Sequence, residues 1–114
     1  KVKESTLCKV STPSVLKNGI NADFVLFVKV DNSGDYVANS YTCSMAPGTN
    51  RPLVGQTTIS SKFVKATTDV LLHEKNMVCM IHEVFHILGF AKSMYSRFID
   101  VNGKKLSGHT SSAK

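Results

Sequence analysis

Apolar positions along the chain change rhythm twice, and each change marks a different kind of element. Residues 1 to 21 are mostly polar, carry Pro13 and an Asn18-Gly19 pair, and read as an irregular lead-in with at most a short strand. Asp23 to Val30 then runs almost unbroken through Phe24, Val25, Leu26, Phe27 and Val28, the pattern of a strand buried on both faces. Asn32-Ser33-Gly34-Asp35 supplies the turn after it. From Tyr36 to Met45 the residues alternate more, with Val37, Tyr41 and Cys43 recurring on one side, which predicts a half-buried strand or an extended segment. Pro47 to Pro52 is a loop, and Leu53 to Ser60 is a third strand, weakened by Gly55.

From about Ser61 the period lengthens to that of a helix. Thr68 or Asp69 can cap its N-terminus, because either side chain can accept from the first free backbone amides. Gly89 ends it, since a left-handed residue there lets the chain reverse sharply. Met77, Ile81, Phe85 and Leu88 stand at i, i+4, i+8 and i+11 and form a ridge expected to pack on the sheet, while His82 and His86 leave from another face towards a cleft. Three strands followed by one long helix predict an α+β fold, a small sheet packed on that helix.

The helix carries the chemistry. Residues 82 to 86 read His-Glu-Val-Phe-His, and two imidazoles four residues apart lie on one helical face, where both rings can reach one cation. Glu83 then stands beside the metal, placed to take a proton from the attacking water and pass it to a leaving amine. The plainer reading is a pair of hydrogen-bonded core histidines. Against it, the run from Met77 to Phe90 is almost wholly apolar, and two imidazoles and a carboxylate in such a segment cost desolvation energy unless something pairs with them. His73-Glu74 opens in the same way, but Met77 occupies the second histidine position, so His73 reads as a surface residue.

A catalytic zinc takes three protein ligands and keeps one position open. The compact pattern of zinc peptidases places a glycine three residues after the second histidine and a third histidine three further on. Gly89 meets the first requirement, and Lys92 fails the second. Within the chain the remaining candidates are Asp100 and His109; otherwise the ligand is not among these residues. Charge adds little. The net +6 comes from fourteen basic residues scattered from Lys1 to Lys114, only Lys104 and Lys105 being adjacent, which argues against nucleic-acid binding. No stretch approaches the ~20 apolar residues of a membrane span, and no signal segment is visible at the N-terminus.

Residues 22 to 28 (Ala-Asp-Phe-Val-Leu-Phe-Val), Thr42-Cys43, Leu53-Val54-Gly55 and 82 to 90 together resemble leishmanolysin, the surface metallopeptidase family of kinetoplastids with relatives in ciliates and animals. The segment from Met94 to Asp100 is most similar to the ciliate members. The resemblance spans roughly residues 5 to 105. It implies a metzincin-like upper subdomain: a small twisted mixed sheet on a long active-site helix, with residues 1 to 114 an N-terminal part of the catalytic domain that ends soon after that helix. It further implies Zn2+ as cofactor, His82 and His86 as ligands, Glu83 as general base, and proteins or peptides as substrates. An extended substrate is expected to pair with an edge strand near Leu53 to Ser60, an analogy of fold.

In that family a long insertion separates the glycine from the third histidine, so Lys92 is compatible with it and His109 comes too early. The third histidine, the methionine-containing turn and the remaining part of the catalytic domain are expected beyond Lys114, as is any membrane association. The family pattern also implies a Cys8 to Cys43 bridge, closing a loop of thirty-odd residues and stabilising the fold by roughly 3–4 kcal/mol. Such a bridge places the protein outside the reducing cytosol, secreted or at the cell surface. Cys79 reads as a buried, unreactive thiol. Two other readings stay open: a non-catalytic adhesion module that keeps the peptidase fold, and a purely structural metal with Cys79 or His109 as an additional ligand.

Overall fold

The computed structural model describes Cys8 and residues 18–106. Most of the expected lead-in, the polar tail after Leu106 and His109 lie outside the described residues. Three strands form one sheet: β1 (Val25–Asp31), β2 (Ala38–Met45) and β3 (Pro52–Ser60). One helix, α1 (Val70–Leu88), follows, and a single 3-10 turn covers Tyr95–Arg97. The sheet order is β1-β3-β2, so the last strand lies between the first two. It runs parallel to β1, with Val25 opposite Val54 and Asp31 opposite Ser60, and antiparallel to β2, with Ala38 opposite Ile59. This mixed sheet with one long helix is an α+β arrangement.

The central position of β3 explains its burial. Val54 to Thr58 and Ser60 are all buried, although four of these six residues are polar. One face of the sheet carries a small apolar cluster of Cys8, Cys43 and Val54, with Val25, Phe27 and Leu53 packed around it. Cys8 and Cys43 are joined by a disulfide with their Cα atoms 5.1 Å apart. The opposite face receives α1, which packs on β2 and β3 but not on β1. At the closest approach, Ile87 fills the space left by the missing side chain of Gly55. There the Thr42 hydroxyl donates to the Ile87 carbonyl at 2.8 Å, and Ser40 and Thr57 share a hydroxyl bond at 2.7 Å.

Helix α1 begins where Asp69 caps it, its carboxylate accepting from the Leu72 amide at 3.1 Å. It stops at Gly89, whose φ of 128° is open chiefly to glycine. The Phe90 amide donates to the Phe85 carbonyl at 3.0 Å and the Gly89 amide to that of His86 at 3.4 Å, the paired bonds of a Schellman turn.

The structure corrects four expectations. The ridge of Met77, Ile81, Phe85 and Leu88 does not pack on the sheet: each is about half exposed, and Glu83 and Ile87 face the strands instead. The helix settles where Gly55 allows backbone approach, and that rotation turns the ridge outward. β1 is not buried on both faces, because α1 leaves it uncovered and Leu26, Val28 and Val30 are exposed. Of the three residues expected to recur on one side of the second strand, Cys43 is buried, whereas Tyr41 within β2 and Val37 just before it are exposed, so that side is covered only at its Cys43 end. Finally, β3 is the central strand and not an edge; the edges among the described residues are β1 and β2.

Candidate metal centre

The last two turns of α1 bring together the residues that the sequence singled out. His82 and His86 project from one flank with ring centroids 4.5 Å apart, and their Nε2 atoms approach to 2.9 Å. Donor atoms of His82, Glu83 and His86 all lie within 4.8 Å of one another, and no other group of three such residues occurs among the described residues. The Gly89 turn contributes to this arrangement. It carries the Phe90 carbonyl back over the helix end, 2.9 Å from His86 Nδ1. A carbonyl only accepts, so Nδ1 bears the proton and Nε2 presents its lone pair. That is the tautomer a metal ligand needs.

Burial distinguishes the three side chains. His82 is exposed, His86 half-buried, and Glu83 buried against the sheet at 7% exposure. Glu83 Oε2 has no hydrogen-bond partner. A buried carboxylate oxygen without a donor is costly, and a cation beside it offsets that cost. Two converging imidazole nitrogens and an orphaned carboxylate therefore fit a borderline divalent ion of the zinc type.

The site opens into a cleft of about 390 Å³. Ala38, Asn39 and Ser40 of the edge strand β2 line it on one side, and Phe90, Ala91, Lys92 and Tyr95 on the other, with Glu83 and His86 between them. Of these, the sequence signalled His86 and Glu83 as site residues. The Phe90 carbonyl belongs to the main chain, and its sole hint was the helix-ending glycine before it.

The other candidate ligands are placed less favourably. Asp100 is not part of the cluster; its Oδ1 accepts from the Asn102 and Lys104 amides, both at 2.8 Å, in a tight turn. Cys79, one turn before Glu83, is half-buried and not fully buried as expected. Burial, and then the Glu83 carboxylate, push its thiol pKa up, so it stays protonated and a poor metal ligand at neutral pH.

Comparison with known proteins places this geometry in context. The family model described as leishmanolysin, a peptidase family, matches residues 3–109. The ciliated left-right organizer metallopeptidase of Danio rerio is 34% identical over 85 residues, covering 70% of this chain and 14% of its own length. The leishmanolysin-like peptidase of Drosophila melanogaster is 28% identical over 104 residues, covering 85% of this chain and 15% of its own length. That of Drosophila pseudoobscura pseudoobscura is 27% identical over 104 residues, with the same coverage. The chain thus spans only 14% to 15% of the length of the curated relatives it matches. No solved structure matches it significantly.

Proposed function

Because this chain belongs to the leishmanolysin family of metallopeptidases, we propose that it takes part in zinc-dependent hydrolysis of peptide bonds in proteins, with His82 and His86 as metal ligands and Glu83 as general base. The carrying observation is the convergence of two imidazole Nε2 atoms beside a buried carboxylate whose Oε2 lacks a donor, with Glu83 and His86 lining an open cleft. Bound zinc supplies Lewis acidity, polarising the scissile carbonyl and acidifying the attacking water. The chain's own residues do the rest. His86 is held in the ligating tautomer by the Phe90 carbonyl, and Glu83 takes the proton of the attacking water and delivers it to the leaving amine. Its burial against β2 and β3 keeps that carboxylate from swinging away.

An extended substrate would add to β2, the edge strand bordering the cleft, and not to β3, which already has a strand on each side. The short coverage of the relatives supports reading residues 1 to 114 as part of a larger, metzincin-like catalytic domain, to which a third ligand from outside the described residues would belong. The Cys8–Cys43 disulfide supports a secreted or cell-surface location.

The test is Glu83→Gln in the full-length parent protein. Zinc content should be unchanged while peptide hydrolysis falls on the order of 10²–10⁴-fold, the usual scale of a lost general base. A fully active glutamine variant, or a native protein that takes up no zinc, overturns the assignment.

A further inference from the structure

We propose that Lys92 and Tyr95 form a substrate subsite for an acidic side chain, aspartate or glutamate, close to the bond being cut. This rests on the peptidase reading above and adds the class of substrate. The cleft has two unlike walls. One is Ala38 to Ser40 of the edge strand β2, and the other is the segment after Gly89, with Lys92 and Tyr95 on it. Lys92 stands three residues past the helix-ending glycine, where the compact zinc-peptidase pattern would put a third histidine. The reversal at Gly89 therefore brings a cation into the lining of the cleft, where its ammonium cannot serve as a ligand.

Charge in the cleft is unbalanced. The ion pairs among the described residues are Lys29 with Asp31, Arg51 with Asp23 and Lys62 with Asp35; Lys92 has no such partner. Among the described residues, the single acid lining the cleft is Glu83, which is buried beside the imidazoles. With a divalent ion on those imidazoles, the cleft carries positive charge that no other acid among its described lining residues offsets. A peptide extended along β2 presents alternate side chains to the opposite wall. A carboxylate there meets the Lys92 ammonium and the Tyr95 hydroxyl, both donors, whereas a lysine or arginine meets like charge. The net charge of +6 adds long-range attraction for acidic substrates.

The experiment offers the full-length, zinc-loaded parent protein a mixture of peptides varied to Asp, Ala or Lys at each position flanking a cleaved bond, with products counted by mass spectrometry. The readout is the ratio of acidic-site to basic-site cleavage within each protein, so overall rate cancels. The native protein should favour Asp over Lys at one flanking position by about fivefold, the scale of an exposed ion pair at contact. Lys92→Ala should bring that ratio below about twofold, Lys92→Glu should reverse it, and raising the salt should shrink it in the native protein. Cleavage without any acidic preference, or a preference that survives both substitutions, overturns the subsite and leaves the peptidase reading standing. Failure of the native protein to cut any peptide removes both.

Discussion

The seat of α1 on the sheet depends on one absent methyl group, and Gly55→Ala tests this directly. A Cβ built at position 55 runs into Ile87 Cγ2 and lies 3.1 Å from the Phe24 ring and 3.2 Å from Ile87 Cβ. Ile87 has little freedom to yield: its side chain is fully buried and its carbonyl is bound by Thr42 Oγ1 at 2.8 Å. The helix must lift or the strand must bend, and overpacking of this kind costs about 1–3 kcal/mol. Ile87→Ala alone opens a cavity and costs about 2–5 kcal/mol. Combined, the new methyl at 55 enters the space vacated at 87, so the double variant should be less destabilised than the sum by at least about 1 kcal/mol. Equilibrium urea unfolding of all four proteins, with the disulfide intact, measures the cycle. Additivity within about 0.5 kcal/mol would refute the argument that these two residues compete for one volume.

Three further outcomes follow from other parts of the fold. Gly89→Ala should destabilise by roughly 1–2 kcal/mol for a different reason, since its Cβ meets nothing nearer than the Phe98 ring at 3.8 Å and the cost is the positive φ alone; trimming Phe98 should give no relief in the same unfolding assay. Cys8→Ser together with Cys43→Ser should cost about 4 kcal/mol on the chain-entropy account, for a sequence separation of 35, read as a lowered denaturation midpoint. Asp31 is held well below the usual carboxylate range by the Ser33 amide and then by Lys29, so its contribution to stability is complete above the unfolded-state value of about 4 and is lost as the pH falls towards the folded-state value. Asp31→Asn should therefore flatten the decline in melting temperature between about pH 5 and pH 2 relative to the native chain.

What the sequence disclosed divides along the line between local and non-local interactions. Asp69 and Gly89 bound the helix through contacts within a few residues of themselves, and such signals survive whatever the rest of the chain does. The approach of His82 to His86 likewise follows from helical spacing alone. The order of the strands did not follow. Nothing in Leu53 to Ser60 says that it will lie between its two predecessors, because pairing joins residues far apart in sequence; the edge position came from an analogy of fold, and the strand is central and buried. Burial was misjudged for Met77, Ile81, Phe85 and Leu88 for a related reason. Their spacing identifies a shared face, but which face meets the sheet was decided by Gly55, twenty-two residues before Met77. A glycine that seemed only to weaken a strand set the rotation of the helix.

The tether on His86 has a consequence for how this site tolerates change. The atom that fixes the imidazole is the oxygen of a peptide group, and every amino acid brings the same one. Position 90 can therefore exchange its phenyl ring for other side chains without loosening the imidazole it steadies. The demand falls instead on its neighbour at 89, where the loop's path, and not any functional group, keeps that oxygen within reach.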